Sequence, residues 1–307
     1  MHGSIKYQVS QVWSQLDGIG KSKAEHRKEQ PVKNVDNTRN TSPLVHSYEY
    51  KDEIFKTARN LFGFAYKRSI KDMTKIPMDI VENWFDDKVE KNVSRNTLRN
   101  YLAHVVKIQI ALEAIAKKEG HDYIGYTKEQ LSNIHMTIKK MERTSGFDRA
   151  YKNPGLVIGI LKDERMHFTG TLQWRYGLRI TEASHIKASQ LQGNTLTYYG
   201  KGGFVQTAEL SDEHVDRLRQ LMVDGLYQVN QNQYRKELEK NALRMHEKYT
   251  GSHGLRYNFL QNLQDKIFYR KIADGVRPLE AMRIARKAVS EAAGHHRISA
   301  ANAYIWH

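Results

Sequence analysis

A histidine and a tyrosine near the end of the sequence have the types and spacing for nucleophilic chemistry. The pair Gly294-His295 is followed, nine residues after the histidine, by Tyr304. A tyrosine hydroxyl has an ordinary pKa of about 10, so at neutral pH it attacks only a good electrophile, with neighbouring groups that accept its proton and stabilise charge. If Tyr304 is a nucleophile, the chain upstream must supply groups that hold such an electrophile, and basic residues would hold a phosphate ester.

An arginine and a lysine in the middle of the sequence could play these parts. In Tyr176-Gly-Leu-Arg179-Ile-Thr-Glu182-Ala183, Arg179 stands beside a predicted helix N-terminus, where backbone N–H groups and the helix dipole favour an anion. A surface ion pair between Arg179 and Glu182 is an equally good interpretation. Lys201 lies at the tip of a predicted turn, Gly200-Lys-Gly-Gly203, and its flexible ammonium suits proton donation to a leaving oxygen. An ordinary solvated lysine fits that turn as well.

A histidine and an arginine follow at a helical spacing. In His253-Gly-Leu-Arg256 the two side chains are three residues apart and share one face of a helix, where they could bind a phosphate and transfer a proton. Two surface residues, or a histidine in the core, would give the same pattern. His253, His295 and His296 could also suggest a metal site. Because the sequence has no cysteine and no His-Glu-x-x-His pattern, we expect no metal site.

The charge of the chain favours an acidic partner. The 307 residues include 49 lysines and arginines against 34 acidic residues, a formal net charge of +15, and nucleic acid is the commonest polyanion for such a protein. A basic protein without an acidic partner is the alternative. The absence of cysteine excludes disulfides and fits a reducing cytosol. Since no apolar run reaches about 20 residues and the N-terminus lacks a signal-peptide core, we expect a cytoplasmic protein without a membrane partner.

Helical periodicity dominates the first half of the sequence. Residues 4–17 predict one short amphipathic helix, and the polar residues 21–44 predict a flexible linker or arm. Four further helices are predicted to begin near Tyr48, Pro77, Ser94 and Thr127. Four aromatic residues in these helices are interpreted as core rather than as a base-stacking platform: Phe55, Phe62, Trp84 and Phe85.

The second half mixes helices with a small sheet. Residues 156–175 predict a helix, residues 194–199 and 204–210 predict two strands joined by a glycine turn, and helices are predicted from residue 212 to the end. The fold class is therefore mainly α with a small antiparallel β-sheet in the C-terminal domain (α+β). Three domains are predicted. Residues 1–45 form an N-terminal helix and basic arm, residues 46–150 form a helical domain, and residues 151–307 form the domain that carries the candidate catalytic residues.

Each motif is weak alone, but the ordered set is specific. In order and approximate spacing, it resembles the catalytic signature of the tyrosine recombinases, the phage-integrase superfamily: Arg179, Lys201, His253-x-x-Arg256, His295 and Tyr304. The resemblance is specific over residues 156–307 and looser over 46–146, where that family places a helical core-binding domain that contacts DNA. The stretch 277–292 and the Gly-His after it look most like integrases of bacterial mobile elements.

Several positions depart from the family pattern. Lys201 is the only lysine on the glycine turn, and Tyr257 stands where a histidine commonly follows His-x-Leu-Arg. An apparent extra helix covers residues 265–287, with seven lysines and arginines against two acids in 266–287, which fits DNA backbone contact and a solvated face equally well. Three residues follow Tyr304, so we expect either that the chain is truncated or that oligomer contacts lie elsewhere.

The resemblance implies DNA cleavage by transesterification, with no metal and no nucleotide cofactor. Tyr304 would attack the scissile phosphate and form a 3′-phosphotyrosyl link with a free 5′-hydroxyl. The other five residues would hold the phosphate or move protons: Arg179 and Arg256 on the non-bridging oxygens, Lys201 on the leaving 5′-oxygen, His253 at the tyrosine hydroxyl and His295 on the phosphate. The implied partners are double-stranded DNA, four copies of the chain on two duplexes, and accessory DNA-bending proteins. The implied location is the bacterial cytoplasm, on the nucleoid.

Other functions use related residues. A type IB topoisomerase or a telomere resolvase has much the same catalytic set, and the integrase-like C-terminal part favours neither. From a different class, a decayed integrase could act as a non-catalytic site-specific DNA-binding protein or repressor. The presence of the whole signature disfavours that alternative.

Overall fold

The computed structural model describes residues 1, 3–142, 148–200, 205–294 and 304. The chain divides into two compact units, residues 1–146 and 147–307. The break lies within residues 144–154, a few residues before the predicted boundary between residues 150 and 151; the division into three parts stays a prediction. Among the described residues, no helix is both long and apolar enough to cross a membrane.

The first unit is a bundle of helices with one small hairpin. Serine side chains cap four of its helices, accepting the N–H of the third residue along, at Ser4, Ser22, Ser47 and Ser94. The helices are α1 Ile5–Leu16, α2 Lys23–Glu29, α3 Tyr48–Tyr66, α4 Met78–Glu90, α5 Arg95–Lys118 and α6 Leu131–Lys140, with a 3₁₀ turn at Met73–Lys75. The antiparallel hairpin consists of β1 Val32–Lys33 and β2 Asn40–Thr41.

One hydrophobic core joins α1 to α3, α4, α5 and α6. Its members include the apolar face of α1 and the aromatic residues of α3 and α4. The interpretation of those aromatics as core is confirmed: Phe62, Trp84 and Phe85 are buried, and Phe55 packs against them. The indole N–H of Trp84 donates to Oδ1 of Asn60 at 2.8 Å, so even its polar atom is satisfied inside the unit.

The segment that the sequence predicts as a flexible arm, residues 21–44, contains α2 and the hairpin. Polar contacts tie it to the helices. The Ser42 hydroxyl is hydrogen-bonded to ring nitrogens of both His26 (3.1 Å) and His46 (2.7 Å), and Lys107 of α5 donates to the carbonyls of Ser42 and Leu44. These long-range contacts have no local signal in a polar sequence, so composition alone favoured an irregular arm.

A buried histidine makes the first unit sensitive to acid. His104 of α5 is buried, with Nδ1 hydrogen-bonded to the Thr57 hydroxyl at 2.7 Å. Burial, assisted by the charge of Lys107, lowers the pKa of His104 to about 4. Between pH 6.5 and 4 the ring of His104 is therefore protonated in the unfolded chain but neutral in the folded unit. The stability that the neutral ring contributes is present above pH 6.5 and is lost as pH falls through this window.

His104→Gln should remove this acid sensitivity, because glutamine can still bond Thr57 but does not titrate. Between pH 7 and 4.5 we expect the wild-type protein to lose about 2–3 kcal/mol more unfolding free energy than the variant. Urea unfolding at several pH values measures the difference. Parallel pH dependences for the two proteins would show that His104 is not the responsible group.

In the described residues of the second unit, seven helices pack around two small antiparallel sheets. The helices are α7 Pro154–Gly159, α8 Glu164–Tyr176, α9 Ile180–Ala183, α10 Asp212–Leu221, α11 Gln231–Arg244, α12 His253–Ala273 and α13 Pro278–Ala292. The strands are β3 His185–Lys187, β4 Leu191–Gln192, β5 Thr195–Tyr199, β6 Val205–Glu209 and β7 Leu226–Gln228, with a 3₁₀ turn at Ala188–Gln190. One sheet has the order β4-β5-β6 and the other pairs β3 with β7. The predicted mainly α chain with a small antiparallel sheet is confirmed.

Three details of the predicted elements are wrong. The helix predicted over 156–175 is broken between α7 and α8, where Asp163 caps the new helix by accepting the N–H of Met166 at 2.8 Å. The uninterrupted run of helices after residue 212 contains β7, a three-residue strand whose pairing with β3 is long-range. The extra helix at 265–287 is two helices, separated where Gly275 adopts a positive φ of 79°.

A glycine at the end of α8 lets two helices meet. Gly177 adopts a left-handed φ of 71° and caps α8, as the sequence predicts for a turn. α8 also packs along α12, and a Cβ on Gly177 would collide with the ring of Phe259 from that helix. Glycine is therefore required here for both its backbone conformation and its size.

Gly177→Ala should destabilise the second unit by about 3 kcal/mol, the sum of left-handed strain and overpacking. Gly193→Ala is the matched control, because Gly193 also has a positive φ, 57°, but a Cβ there would meet nothing within 4 Å. We expect only about 1 kcal/mol for that variant, from strain alone. Urea unfolding measures both. Equal losses would contradict the collision with Phe259.

Candidate active site

A buried carboxylate holds the first candidate arginine. Arg179 is the N-cap of α9, and its guanidinium donates to Oε1 of Glu182 at 2.7 Å and to the carbonyl of Ala293, after α13, at 2.8 Å. Its backbone N–H donates to Oε2 of Glu182 at 2.6 Å. The ion pair that the sequence left as an alternative exists, but it is not a surface pair: the Glu182 side chain is only 4% exposed.

The second candidate arginine lies deeper. Arg256 of α12 is fully buried; Nη1 donates to the Gly177 carbonyl, and Nη2 donates to the Ala292 carbonyl at 3.4 Å. Its Nη1 also lies 3.7 Å from Oε2 of Glu182. Burial and the charge of Arg179 lower the pKa of Arg256, and Glu182 opposes them. The structure thus brings the two arginines to one shared carboxylate.

Close packing requires a glycine at position 254, between His253 and Arg256. α12 begins against the segment that enters the second unit. A Cβ on Gly254 would collide with the Thr250 hydroxyl and lie 2.6 Å from the Arg149 carbonyl. Only glycine lets the start of α12 approach this closely, which fixes the direction of the helix and therefore the positions of His253 and Arg256.

Two aromatic rings, those of Tyr257 and His253, lie beside the candidate nucleophile. Tyr304 is 6% exposed and lies in one apolar cluster with residues of α12 and α13. Its ring centroid is 4.8 Å from that of Tyr257 and 6.2 Å from that of His253. Burial raises the pKa of the Tyr257 hydroxyl, which Arg149 partly opposes. Tyr304 also lies near enough to Arg256 to interact with its charge.

Two predicted site residues, Lys201 and His295, lie outside the described residues. The residue before each of them is described. A Cβ on Gly200 would stand 3.5 Å from Nη1 of Arg179, so the end of β5 lies against the first arginine. Gly294, the last described residue before Tyr304, follows α13 with a positive φ of 66°.

The sequence does not point to two residues near the arginines, Tyr198 of β5 and Gln206 of β6. Tyr198 is buried, and in the sheet it pairs with Gln206. Burial and the carboxylate of Glu182 raise the pKa of Tyr198, while the two arginines oppose this rise. The alternation of β5 could have placed Tyr198 on the buried face, but not beside the arginines.

The arrangement suits an anion with several oxygens. Each guanidinium has five N–H donors, and hydrogen bonds to the described residues use two donors on each arginine. The remaining donors can bind oxygens of a phosphate while Tyr304 and His253 lie on the same side of α12. In the part of the chain that the structure describes, no group of three or more histidine or acidic side chains could hold a metal ion.

Solved structures of similar architecture are DNA recombinases. XerH site-specific recombinase bound to difH substrate, in a pre-cleavage complex, matches with a TM-score of 0.59 at 14% identity, over 99% of this chain and 91% of that chain. A lambda integrase (75–356) dimer bound to a COC′ core site matches with a TM-score of 0.56 at 11% identity, over 84% and 88% of the two chains. The chain has the tyrosine-recombinase fold. No family model matches the sequence, and no curated protein matches it.

The tyrosine-recombinase fold agrees with the resemblance that the sequence shows over residues 156–307. Identities of 11–14% establish the architecture and do not establish activity. The assignment of a reaction to this chain therefore rests on its own residues.

Proposed function

We propose that this protein is a site-specific DNA recombinase that cuts and rejoins DNA through a 3′-phosphotyrosyl intermediate on Tyr304. One observation supports this most strongly: Arg179 and Arg256, far apart in sequence, share the carboxylate of Glu182, and Tyr304 lies near Arg256 and His253. The two neighbours of similar fold were crystallised with DNA. Integration or excision of a mobile element is the role that the sequence favours.

In the proposed reaction the hydroxyl oxygen of Tyr304 attacks the scissile phosphorus, and the bond from phosphorus to the 5′-oxygen breaks. Arg179 and Arg256 stabilise the charge on the non-bridging oxygens. His253 accepts the tyrosine proton, Lys201 protonates the leaving 5′-oxygen, and His295 donates to the phosphate. Attack by a 5′-hydroxyl of a partner strand reverses these steps, so rejoining needs no nucleotide cofactor.

Binding of the duplex is proposed to depend on phosphate contacts. A net charge of +15 supplies the attraction, and neutralising several phosphates makes affinity fall steeply with salt. Recombination between two duplexes would place four copies of the chain together, with DNA-bending proteins as possible helpers.

The decisive experiment traps the covalent intermediate. DNA that the protein selects from a random pool is built into nicked suicide duplexes, from which the cleaved end diffuses away. The duplexes are incubated with protein in EDTA and run on a denaturing gel. A protein-linked band supports the proposal. Tight binding without any band would favour the non-catalytic DNA-binding alternative, and relaxation of supercoiled DNA without sequence preference would favour a topoisomerase.

Arg179→Ala should lower adduct formation by about 10²–10³-fold, because one donor set to the transition-state oxygens is removed. Arg175→Ala is the matched control: Arg175 is exposed on α8 and stacks on Trp174 at 3.9 Å. The Arg175→Ala variant loses the same charge four residues away in the sequence, and it should cleave DNA at the wild-type rate. Single-turnover adduct formation measures both variants. Undiminished cleavage by Arg179→Ala would remove this arginine from the site.

A further inference from the structure

The segment that enters the second unit runs along one face of α12. Residues 148–151, which we call the entry segment, lie just after the break between the two compact units. The amide of Asn258 pairs with both backbone groups of Tyr151, accepting its N–H at 3.0 Å and donating to its carbonyl at 2.7 Å. Three residues further along α12, on the same face, Gln261 donates to Oδ1 of Asp148 at 2.9 Å. These bonds fix the entry segment to the helix that carries two candidate site residues.

Arg149 of the entry segment reaches the aromatic ring beside Tyr304. Its Nη2 donates to the Thr250 carbonyl, just before α12, at 3.3 Å, and its guanidinium carbon lies 5.4 Å from the centroid of the Tyr257 ring. A guanidinium within about 6 Å of a ring centroid is attracted by the ring. The carbonyl of Arg149 lies where a Cβ on Gly254 would stand 2.6 Å away, so its backbone is also held against α12.

The Tyr257 ring is close to both Arg149 and the candidate nucleophile. It is 7% exposed, and its centroid lies 4.8 Å from that of Tyr304. Burial raises the pKa of the Tyr257 hydroxyl, and the charge and hydrogen bonding of Arg149 oppose this rise. In the part of the chain that the structure describes, no carboxylate forms an ion pair with Arg149. Its contacts with a carbonyl and a ring therefore give it a different role from the two arginines that share a carboxylate.

We propose that Arg149 is a positioning residue for the nucleophile: it holds the Tyr257 ring, and this ring holds Tyr304 in the position from which it attacks. This inference rests on the proposed function. Arg149 acts through the Tyr257 ring rather than on the reacting atoms. Because the ring and not its hydroxyl carries the contact, Tyr257→Phe keeps the arrangement, whereas Tyr257→Leu removes it.

A double-mutant cycle tests this path. Single-turnover adduct formation on the suicide duplex is measured at saturating protein for Arg149→Ala, for Tyr257→Leu and for the double variant, each below its unfolding transition in urea. We expect each single variant to be about 10²-fold slower, the cost of a misplaced reacting group. The double variant should also be about 10²-fold slower, not 10⁴-fold, because both substitutions break the same path.

Two further variants separate positioning from DNA binding and from folding. Lys152→Ala removes one charge from an exposed residue next to the entry segment and should leave adduct formation unchanged. Arg149→Ala should bind DNA in a gel shift as tightly as this control does. Arg149→Lys keeps a cation that can reach the carbonyl and the ring, and it should recover the rate to within about tenfold of wild type. If Arg149→Ala does not fold, Arg149→Gln, which can still donate to the Thr250 carbonyl, replaces it in the cycle.

Three results would overturn the inference while the proposed function stands. Losses that multiply in the double variant would show that Arg149 acts independently of the Tyr257 ring. Weaker DNA binding by Arg149→Ala than by Lys152→Ala would assign Arg149 to a phosphate contact. A wild-type rate for Arg149→Ala would show that it positions nothing. If the wild-type protein forms no adduct at all, the proposed function fails, and the inference fails with it.

Discussion

Tyr304→Phe is expected to bind DNA like the wild-type protein and to form no covalent adduct, a loss of at least about 10⁴-fold. The substitution removes one hydroxyl and keeps the ring. The ring contacts with Tyr257 and His253 therefore remain, as does the apolar cluster with α12 and α13. Binding in a gel shift and adduct formation on the suicide duplex are measured side by side.

The neighbouring tyrosine, Tyr257, provides the control for Tyr304→Phe. Tyr257 lies 4.8 Å from Tyr304 between ring centroids and is also partly enclosed by the site. Tyr257→Phe should keep adduct formation within about tenfold, because burial raises the pKa of its hydroxyl and makes it a poorer nucleophile. The opposite result, with adduct in Tyr304→Phe and none in Tyr257→Phe, would assign the nucleophile to Tyr257.

Glu182→Gln should damage both stability and cleavage. Glutamine keeps the shape and one acceptor of the carboxylate but removes the negative charge from between two guanidiniums, one of them fully buried. Removing one partner of such a buried arrangement costs about 3–5 kcal/mol. Because neither arginine is then held in place, we also expect cleavage to fall by at least about 10²-fold. Urea unfolding and single-turnover cleavage below the new transition measure the two effects.

An exposed ion pair of the same unit provides the comparison. Glu164 pairs with Arg217 at 3.0 Å, and both side chains are well exposed, at 69% and 40%. Glu164→Gln should cost at most about 1 kcal/mol and leave cleavage unchanged. If the two glutamine variants unfolded alike, the Glu182 carboxylate would not be acting as a buried counter-charge.

A double substitution tests whether Glu182 and Arg256 act together. Replacing both charges removes the uncompensated charge that each single variant leaves behind. The double variant Glu182→Gln with Arg256→Met should therefore lose less stability than the sum of the two single losses, by about 1–3 kcal/mol. Additive losses would contradict a direct interaction across 3.7 Å.

The sequence predicts local features of this fold well, because capping and periodicity are local. Ser94 caps a helix that begins where this serine predicts, and the helix predicted to begin near Tyr48 begins at Tyr48, capped by Ser47. Gly177 ends α8 in the left-handed conformation that a glycine before Leu-Arg permits. The recombinase fold itself was predicted through the resemblance of the ordered candidate residues to the tyrosine-recombinase signature.

The long-range strand pairings could not be predicted from the sequence, for a physical reason. β3 and β7 are three residues each, too short for alternation to be distinguished from chance, and their partners lie about 40 residues apart in the chain. Glu182 was visible only as a neighbour of Arg179, since its approach to Arg256 depends on how α9 meets α12. Gln206 had no signal at all, because its contacts are with backbone positions of two separate turns.

The two arginines also join the ends of helices. Arg256 donates to the carbonyls of Gly177, at the end of α8, and Ala292, at the end of α13, while Arg179 donates to Ala293. Each guanidinium thus stabilises the fold by hydrogen bonds to helix ends, and it is also a candidate phosphate ligand. Selection for folding alone would therefore preserve both arginines even in a relative that lacks the proposed DNA cleavage. Among relatives of this chain, loss of the tyrosine should precede loss of the arginines when activity decays.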